Sequence, residues 1–324
     1  MRMSAIGCPR TARFLAVGAA LVMAAVCVRA AQAPAGQAGA APAAQPPDFS
    51  RVEIKTTKVA NNLYTIEGQG GMIGALVGPD GVLLVDTQFA PLTDKIVAAV
   101  RQVSNMPIRF VIDTHVHGDH TGGNENLARL GATIFSRDEL RWRLAHPNPT
   151  AAGAPGTPAP AGALPKMTYD GPVTFHLNGE EVQAIPIRRA HTDGDTLVRF
   201  VNADVLMTGD YFRSVGYPNI DRNNGGSLNG MLEGLGITIG MAGPNTKVIP
   251  GHGPTADRSG VTFHRDMLLA VRDRVAQLIQ QGRTEQEVIA ARLTAAYDAR
   301  VQPANQQNAD RFVGQVYAEL KAAR

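Results

Sequence analysis

From about residue 50 onward, short apolar runs alternate with longer amphipathic stretches. The runs are rich in Val, Ile and Leu, and turn residues bound them, which predicts β-strands; a Gly-Pro-Asp-Gly turn at 78–81 separates two of them. In the first half we predict strands at residues 52–54, 63–66, 72–77, 82–85, 108–112 and 132–135, and helices at 91–103, 124–130 and 137–144.

A second series of elements follows a Pro/Ala/Gly-rich stretch at residues 147–165. The apolar pattern predicts strands at 173–177, 182–187, 196–201, 205–208 and 247–249, and helices at 227–241, 263–279 and 312–320, with another helix opening at the capping box of Thr284 and Glu287. Two halves in which strands precede helices predict an α/β fold in which the sheets pack together and the helices lie outside.

The first thirty residues have the pattern of a secretory signal peptide. Arginines precede an apolar stretch of fifteen residues at 14–28, and small-residue cleavage patterns end near Ala30 and Ala33. Fifteen apolar residues are fewer than the roughly twenty that span a bilayer, which favours a cleaved signal over an uncleaved anchor. We therefore expect a secreted, periplasmic protein without stable membrane association after cleavage.

Removing the leader changes the charge and the cysteine count. The formal charge of the whole chain is +3, but residues 1–30 contain four arginines and no acidic residue, so 27 Lys and Arg then face 28 Asp and Glu, a charge of −1. This balance predicts no nucleic-acid partner. Cys8 and Cys27 also lie in the leader, so the mature chain has neither a disulfide nor a thiolate ligand.

The remainder divides into two segments by composition. Residues 31–48 contain mainly Ala, Pro, Gln and Gly without an apolar period, which predicts a disordered tether. Residues 49–324 are predicted to form one domain that ends in helices, a length that suits a single large domain or two similar halves.

The predicted strand at 108–112 runs directly into the sequence DTHVHGDH at 113–120, which holds three of the eight histidines of the chain. His115 and His117 are two residues apart, so in extended backbone their rings point to the same side and can share one cation. Gly118 permits a sharp change of direction, which leaves Asp119 and His120 for a second site.

Three further donors follow predicted strands in glycine-flanked loops. His191 lies in RAHTDGD, Asp210 ends VLMTGD and His252 lies in IPGHGP. Loops at strand ends are where functional residues concentrate, so these donors could converge with the first cluster on one rim of the sheets. The other three histidines, His146, His176 and His264, lie outside such contexts and remain unassigned.

Taken in order, the motifs HxHxDH, His, Asp and His resemble those of the metallo-β-lactamase-fold hydrolase superfamily, and the element order agrees from about residue 52 to 281. The resemblance implies a four-layer αβ/βα sandwich with two zinc ions in a groove along one edge. In this resemblance one zinc is bound by His115, His117 and His191. The other zinc is bound by Asp119, His120 and His252, and Asp210 bridges the two. It also implies that Asp86, in VLLVDT, orients a ligand histidine through the ring nitrogen that does not bind metal.

The resemblance further implies a hydrolase in which hydroxide held by two zinc ions attacks a scissile carbonyl. We predict that Asp119 and Asp210 are catalytic, with Asp119 orienting the attacking water. Arg213 is a candidate to grip a carboxylate of the substrate, and Asn223 and Asn224 are candidate donors. A solvated loop cation is an equally good interpretation of Arg213.

The substrate class stays open. Class B β-lactamases of the best-known subclass have a cysteine where this chain has Asp210, whereas glyoxalase II-type thioesterases have the aspartate; AHTDGD and VIPGHG resemble the lactamases. We expect a small-molecule substrate with a β-lactam, lactone, ester or thioester bond. The alternatives are an iron-dependent oxidoreductase of the sulfur dioxygenase type, a phosphodiesterase, and a binding protein with a structural metal.

Imidazole and carboxylate donors suit zinc, although iron or manganese can also be held by them. The sequence leaves the oligomeric state open, and it does not decide whether residues 147–165 form a lid over the groove or a plain linker.

Overall fold

The computed structural model describes residues 48–150 and 152–323. The predicted signal peptide, and the predicted tether except for Asp48, lie outside these residues. Asp48 is the N-cap of a 3-10 turn at Phe49–Arg51, and its carboxylate accepts a hydrogen bond from the backbone N–H of Ser50. None of the helices in the described ranges combines the length and the apolar character needed to cross a membrane.

The first seven strands form one mixed sheet in which the spatial order follows the chain order. Strands one to four are antiparallel, and strands four to seven are parallel. The strands are β1 (Lys55–Ala60), β2 (Leu63–Glu67), β3 (Ile73–Leu76), β4 (Val82–Val85), β5 (Ile108–Ile112), β6 (Thr133–Arg137) and β7 (Met167–Tyr169). The helices that accompany them are α1 (Thr93–Arg101), α2 (Gly118–Thr121), α3 (Asn124–Arg129) and α4 (Asp138–Ala145).

The remaining strands form a second sheet with the spatial order β12-β11-β10-β9-β8. Its last two strands in sequence are parallel, and the other neighbours are antiparallel. The strands are β8 (Val173–Leu177), β9 (Glu180–Pro186), β10 (Thr196–Phe200), β11 (Val205–Met207) and β12 (Lys247–Ile249). The helices of this half are α5 (Leu228–Met241), α6 (Arg258–Gln280), α7 (Glu285–Ala290) and α8 (Gln306–Ala322).

Three apolar cores show how these elements are layered. Successive side chains of a strand point to opposite faces, so in β4 Leu83 and Val85 belong to the core between the two sheets, whereas Val82 and Leu84 pack with α1 and α3 on the outer face. A third core joins the outer face of the second sheet to helices α5 to α8. The order of layers is helix, sheet, sheet, helix, which confirms the predicted αβ/βα sandwich.

Two edge strands differ from the sequence prediction. The strand expected at 52–54 begins instead at Lys55, and β7 was not predicted at all. The predicted helix starting at the capping box is α7, where Thr284 and Glu287 exchange the expected hydrogen bonds. The Pro/Ala/Gly-rich stretch contains no strand among its described residues, only a 3-10 turn at Ala161–Ala163.

Candidate metal centre

The predicted donors come together at one edge of the sandwich because of the strand directions. β4 and β5 are parallel, so the loops that carry Asp86 and the HxHxDH motif leave the first sheet at the same edge. β11 and β12 are also parallel, so the loops that carry Asp210 and His252 leave the second sheet together. The ligand atoms within each of three overlapping groups lie within 4.8 Å of one another.

The first group consists of His115, His117 and His191. The Nε2 atom of His191 lies 2.9 Å from Nδ1 of His117, and the rings of His115 and His191 meet edge to face with centroids 4.7 Å apart. His117 and His191 each use their other ring nitrogen to donate a hydrogen bond outside the group. This leaves Nδ1 of His117 and Nε2 of His191 directed at the same space.

The second group consists of Asp119, His120 and His252. Oδ2 of Asp119 lies 3.1 Å from Nε2 of His252 and 3.8 Å from Nε2 of His120. The change of direction between the two groups is made by α2, whose first residue is Gly118. Gly118 does not have a positive φ, so the helical turn, rather than a left-handed glycine, turns Asp119 and His120 away from His117.

Asp210 lies between the two groups. Its Oδ1 is 3.3 Å from Nε2 of His120, and its Oδ2 is 3.4 Å from Nε2 of His252 and 3.9 Å from Nε2 of His191. It is held there by a 3-10 turn at Gly209–Tyr211 directly after β11. One carboxylate therefore faces ligands of both groups, which is the geometry that a bridging ligand needs.

Three buried atoms of this centre have no hydrogen-bond partner: Nε2 of His115, Nε2 of His120 and Oδ1 of Asp210. Buried polar atoms are almost always paired, so three orphans in one cluster indicate a missing partner. Neutral imidazole nitrogens and carboxylate oxygens are ligands for a cation such as Zn²⁺. The donor set thus fits the two divalent metal ions that the motifs imply.

Charge and burial give the histidines of the two groups opposite shifts in the metal-free chain. Burial lowers the pKa of His191 to about 4 and holds the pKa of His115 well below its usual range. For His252, burial is outweighed by hydrogen bonds with Asp119 and Asp210, which raise its pKa to about 9. The pKa of His120 is also raised, because the negative charges of Asp86 and Asp210 outweigh the effect of complete burial.

Asp86, predicted to orient a ligand histidine, lies in the left-handed region of backbone space at φ 66°. Its Oδ2 accepts a hydrogen bond from Nδ1 of His120 at 2.7 Å, and its two oxygens also accept from the backbone N–H and the hydroxyl of Thr114. Asp86 is buried. It therefore fixes the ring of one ligand and the backbone beside another, His115.

Three residues that the sequence reasoning missed hold the first group. Oδ2 of Asp221 accepts a hydrogen bond from Nε2 of His117 at 2.7 Å, and the backbone carbonyl of Asn219 accepts from Nδ1 of His191 at 2.7 Å. Asp195 accepts from the backbone N–H of His191 at 2.6 Å. Asp195 was visible as the last residue of AHTDGD, but Asn219 and Asp221 lie in a loop without a recognisable motif.

The C-terminal helix supports the same loop. The side-chain amide of Gln315 in α8 donates to Oδ1 of Asn219 at 2.9 Å, and its carbonyl accepts from the backbone N–H of Ile220 at 2.9 Å. Gln315 thus contacts the two residues that precede Asp221. The position of two ligand histidines is linked through this loop to α8.

Two glycines permit the close approach of the loops. A Cβ atom on Gly71 would lie 2.1 Å from the ring of His120, and one on Gly251 would lie 2.0 Å from Oδ1 of Asp210. Neither neighbour can withdraw without leaving the centre. Both positions therefore require glycine for steric reasons.

The predicted substrate residues lie in two different places. Asn224 lines a groove of about 340 Å³ beside His117 and Gly118, and its side-chain amide donates to Oδ2 of Asp221 at 2.7 Å. The backbone carbonyl of Asn223 accepts hydrogen bonds from Arg143 and Asn148. Arg213 lines a separate pocket that none of the seven metal-ligand candidates lines.

The Pro/Ala/Gly-rich stretch forms one wall of this groove. Pro147, Asn148, Thr157 and Ala159 line it. Asn148 is bonded to the loop at Asn224, the backbone N–H of Ala159 donates to the carbonyl of Leu144, and Arg141 donates to the carbonyl of Pro165 at 2.6 Å. These anchors place the stretch beside the metal centre rather than in a bare connection between the halves.

Comparison with known proteins agrees with this geometry. Residues 68–260 match the family model of the metallo-beta-lactamase superfamily. The chain is 24% identical over 189 residues to the metallo-beta-lactamase type 2 of Bacillus cereus, an alignment that covers 58% of this chain and 69% of the relative. It is 26% identical over 181 residues to the hydroxyacylglutathione hydrolase of Nitrosococcus oceani, covering 54% of this chain and 60% of the relative.

Among solved structures, the inverting sec-alkylsulfatase Pisa1 from Pseudomonas sp. superposes with a TM-score of 0.64 at 18% sequence identity. The superposition covers 82% of this chain and 50% of the sulfatase, so the chain spans about half the length of that protein. At this level of identity the likeness concerns the fold alone.

Proposed function

The chain belongs to the metallo-beta-lactamase superfamily, and from that premise we propose that it is a binuclear zinc hydrolase that cleaves an acyl bond in a small molecule. The bond is that of a β-lactam, lactone, ester or thioester. The observation that carries the proposal is the convergence of seven imidazole and carboxylate side chains, three of whose buried atoms have no hydrogen-bond partner among the described residues.

Two divalent ions bound here would lower the pKa of water to around 7 and polarise a carbonyl group. The chain's own residues contribute the remaining features. Asp119 is the more exposed of the two central carboxylates, with 26% of its side chain accessible, and its Oδ2 faces His252. We propose that it accepts a hydrogen bond from the water that attacks the substrate, which its exposure and position beside His252 support.

Asp210 has a different role in the proposal. Its side chain is 7% exposed, and the positive charges of His120 and His252 hold its pKa well below the usual range despite its burial. We propose that it is an anion at neutral pH. We propose that it sets the spacing of the two cations and neutralises part of their charge.

The groove beside His117 is the proposed substrate site. Its walls combine apolar groups, Leu144 and Pro147, with polar side chains such as Asn148 and Thr157. Arg143 also lines the groove, but its guanidinium is paired with Asp193 at 2.6 Å. A volume of about 340 Å³ suits one small molecule with a carbonyl near the centre.

Secretion is part of the proposal and rests on the leader sequence alone. A periplasmic location would expose the enzyme to cell-wall-active antibiotics and would separate it from cytosolic glutathione thioesters. Among acyl substrates this favours β-lactams and lactones. We propose zinc as the metal because five of the seven donors are imidazoles and the other two are carboxylates, ligands that zinc binds readily.

The test combines metal analysis of the purified chain with hydrolysis of a chromogenic cephalosporin, a thioester, a lactone and a secondary alkyl sulfate ester. We expect about two zinc ions per chain, in line with a binuclear site, and turnover of at least one acyl substrate. Asp210→Ala should abolish turnover, and Asp266→Ala, on the exposed side of α6, should not change it.

Three results would contradict the proposal. Wild-type turnover in Asp210→Ala would remove the bridge from the mechanism. A zinc-poor, iron-rich protein without hydrolytic activity would favour the oxidoreductase alternative. Turnover of the sulfate ester and of none of the acyl substrates would show that the enzyme cleaves sulfate esters instead of acyl bonds.

A further inference from the structure

A second polar pocket lies between the segment that follows Asp210 and the first half of α6. Its volume is about 130 Å³, and the side chains that line it include Arg213, Ser214, His264 and Arg300, with Phe212 and Val301 as apolar walls. None of the seven metal-ligand candidates lines it. It is therefore separate from the centre described above.

Two buried nitrogen atoms in this pocket have no hydrogen-bond partner: Nε of Arg213 and Nε2 of His264. His264 is 3% exposed and packs edge to face on Phe212 with ring centroids 5.3 Å apart. Buried donors without partners are uncommon in folded proteins. Both atoms belong to residues that line this small cavity, and a ligand that accepts hydrogen bonds would supply the missing partners.

The pocket is also positively charged without a counter-ion. Among the residues that the structure describes, no Asp or Glu lines it, and neither Arg213 nor Arg300 forms an ion pair. Arg300 rests on the ring of Phe263 with its guanidinium carbon 3.6 Å from the ring centroid. Arg213 lies close enough to Arg311 for its charge, together with burial, to lower the pKa of Arg311.

The acidic groups close in sequence to the lining residues are engaged elsewhere, Asp210 in the metal centre and Asp266 with Arg265. Asp257 caps α6 by accepting from the backbone N–H of Gly260, and Asp298 accepts a hydrogen bond from the hydroxyl of Tyr217. Burial, with a smaller contribution from Arg213, lowers the pKa of His264 to about 3, so its ring is neutral and presents one N–H donor. The pocket thus offers donors and positive charge, and no carboxylate from residues 48–150 or 152–323 lines it.

We propose that this pocket binds a compact oxyanion of the phosphate or sulfate type. The guanidinium group presents donors in a planar fork that matches two oxygens of such an anion, and Arg213 and Arg300 supply two forks. The orphaned His264 Nε2 donates to a third oxygen. His264 is buried, Arg213 is half-buried and Arg300 is exposed, so the apolar walls strengthen mainly the bonds made by His264 and Arg213.

The pocket is connected to the metal centre through the backbone. Arg213 follows the 3-10 turn that holds Asp210, and the backbone N–H of Ser214 donates to the carbonyl of His252 at 3.2 Å. An anion that fixes Arg213 therefore restrains the loops that carry two metal-ligand candidates. Binding is measurable without turnover, which separates this proposal from the proposed hydrolase activity.

The test is calorimetric titration of the chain with inorganic phosphate at constant ionic strength, once with bound metal and once after chelation. One saturable site should persist in both conditions, because no metal-ligand candidate lines the pocket. Arg213→Gln and Arg300→Gln should each weaken binding by about tenfold or more, the loss expected for a charge-assisted hydrogen bond. Arg274→Gln on the exposed face of α6 is the matched control for loss of one charge.

Unchanged phosphate affinity in both Arg213→Gln and Arg300→Gln, or the absence of any saturable site after chelation, would overturn the proposal. Thermal unfolding checks that each variant is folded, and phosphate should raise the midpoint of the wild type more than that of Arg213→Gln. Methyl phosphate identifies the source of the anion. Tighter binding of inorganic phosphate assigns a free ion, and tighter binding of methyl phosphate assigns the end group of a phosphomonoester.

Discussion

The two halves of the candidate metal centre are held in different ways. In the first, His117 and His191 are each fixed by an acceptor outside the centre, Asp221 and the carbonyl of Asn219. In the second, His120 has such a partner, Asp86, whereas the ring of His252 lies against groups of the centre itself, the carboxylates of Asp119 and Asp210 and the ring of His120. The first position is organised by the surrounding fold, and the second is organised by its own ligands.

The histidines of the two halves also differ in protonation, and this difference favours metal binding at the first position. Without metal, the pKa of His191 is about 4, so its ring is neutral at pH 7 and ready to bind a cation. The pKa of His252 is about 9, so its ring carries a proton that a cation must displace. The first position is therefore preorganised for metal binding, and we expect a metal ion to bind there before one binds at the second position.

The largest contrast should come from removing one histidine of each half. His191→Ala deletes a fixed ligand of the first position, and we expect loss of both metal ions and more than about a hundredfold loss of turnover, beyond the effect of removing an outer partner. His252→Ala should keep one metal ion per chain. Metal content after gel filtration checks both variants, and loss of both ions in His252→Ala would break the proposed order.

The next test substitutes the carboxylates that hydrogen-bond to the ligand histidines and leaves the ligands themselves unchanged. Asp221→Asn should weaken metal binding at the first position by about 10–100-fold, and Asp86→Asn should do so at the second, because each partner orients one ligand ring. Competition with a chromophoric chelator measures the two affinities. Asp86 accepts two hydrogen bonds from Thr114 and Asp221 accepts two from Asn224, but Asp86 is 1% exposed and Asp221 is 18% exposed. The Asp86→Asn variant should therefore also unfold at a lower temperature than Asp221→Asn, because its altered hydrogen bonds are buried. Equal effects of both variants on both ions would show that the halves are not independent.

The pH dependence should also distinguish the halves. Below about pH 9 the metal-free chain holds a proton on His252, and the pKa of His120 in the same group is also raised, so affinity at the second position should rise about tenfold or more per pH unit between 7 and 9. The first position should vary little over that range, because the pKa of His191 is about 4. Metal titrations at pH 7, 8 and 9 give both affinities, and a flat second affinity would contradict the assignment of His252.

The stability of the metal-free chain should depend on pH in the opposite direction to the metal affinity, falling as the pH rises. The folded pKa of His252 lies above its usual value of 6.5, so its contribution to stability is complete below pH 6.5 and is lost as the pH rises through about 9. Thermal unfolding of the chelated chain should therefore occur at a lower temperature at pH 9 than at pH 6.5. The metal-loaded chain should not show this loss.

The smallest effect should come from α8. Gln315→Ala removes two hydrogen bonds to the loop that positions His117 and His191, and we expect a loss of metal affinity of a few-fold, less than for Asp221→Asn, since it acts through one more residue. Gln307→Ala, exposed on the same helix, is the control. If both variants bind metal like the wild type, α8 has no part in the centre.

The central strands and the helices were predictable from sequence, and the edge strands were less so. Strands such as β4 are buried on both faces and therefore appear as uninterrupted apolar runs. β1, with the sequence KTTKVA, and the three-residue β7 lie at the two edges of their sheet and are partly exposed, so they lack this signal. Their places are decided by the neighbouring strand rather than by their own composition.

The metal-ligand candidates were visible in sequence because donor-rich motifs follow buried strands. Their partners were not, for physical reasons. Asn219 contributes a backbone carbonyl, which every residue has, and Gln315 is 96 residues away from it in sequence. Asp221 acquires its role only when its loop folds against His117. Such contacts depend on tertiary packing, which the local pattern does not encode.

The most direct test of the account is anomalous scattering at the zinc edge from crystals of the zinc-loaded chain. The account predicts two peaks, one bounded by His115, His117 and His191 and the other by Asp119, His120 and His252, with Asp210 between them. At limiting zinc, the peak at the first position should be the stronger. A single peak at full loading, or preferential filling of the second position, would contradict it.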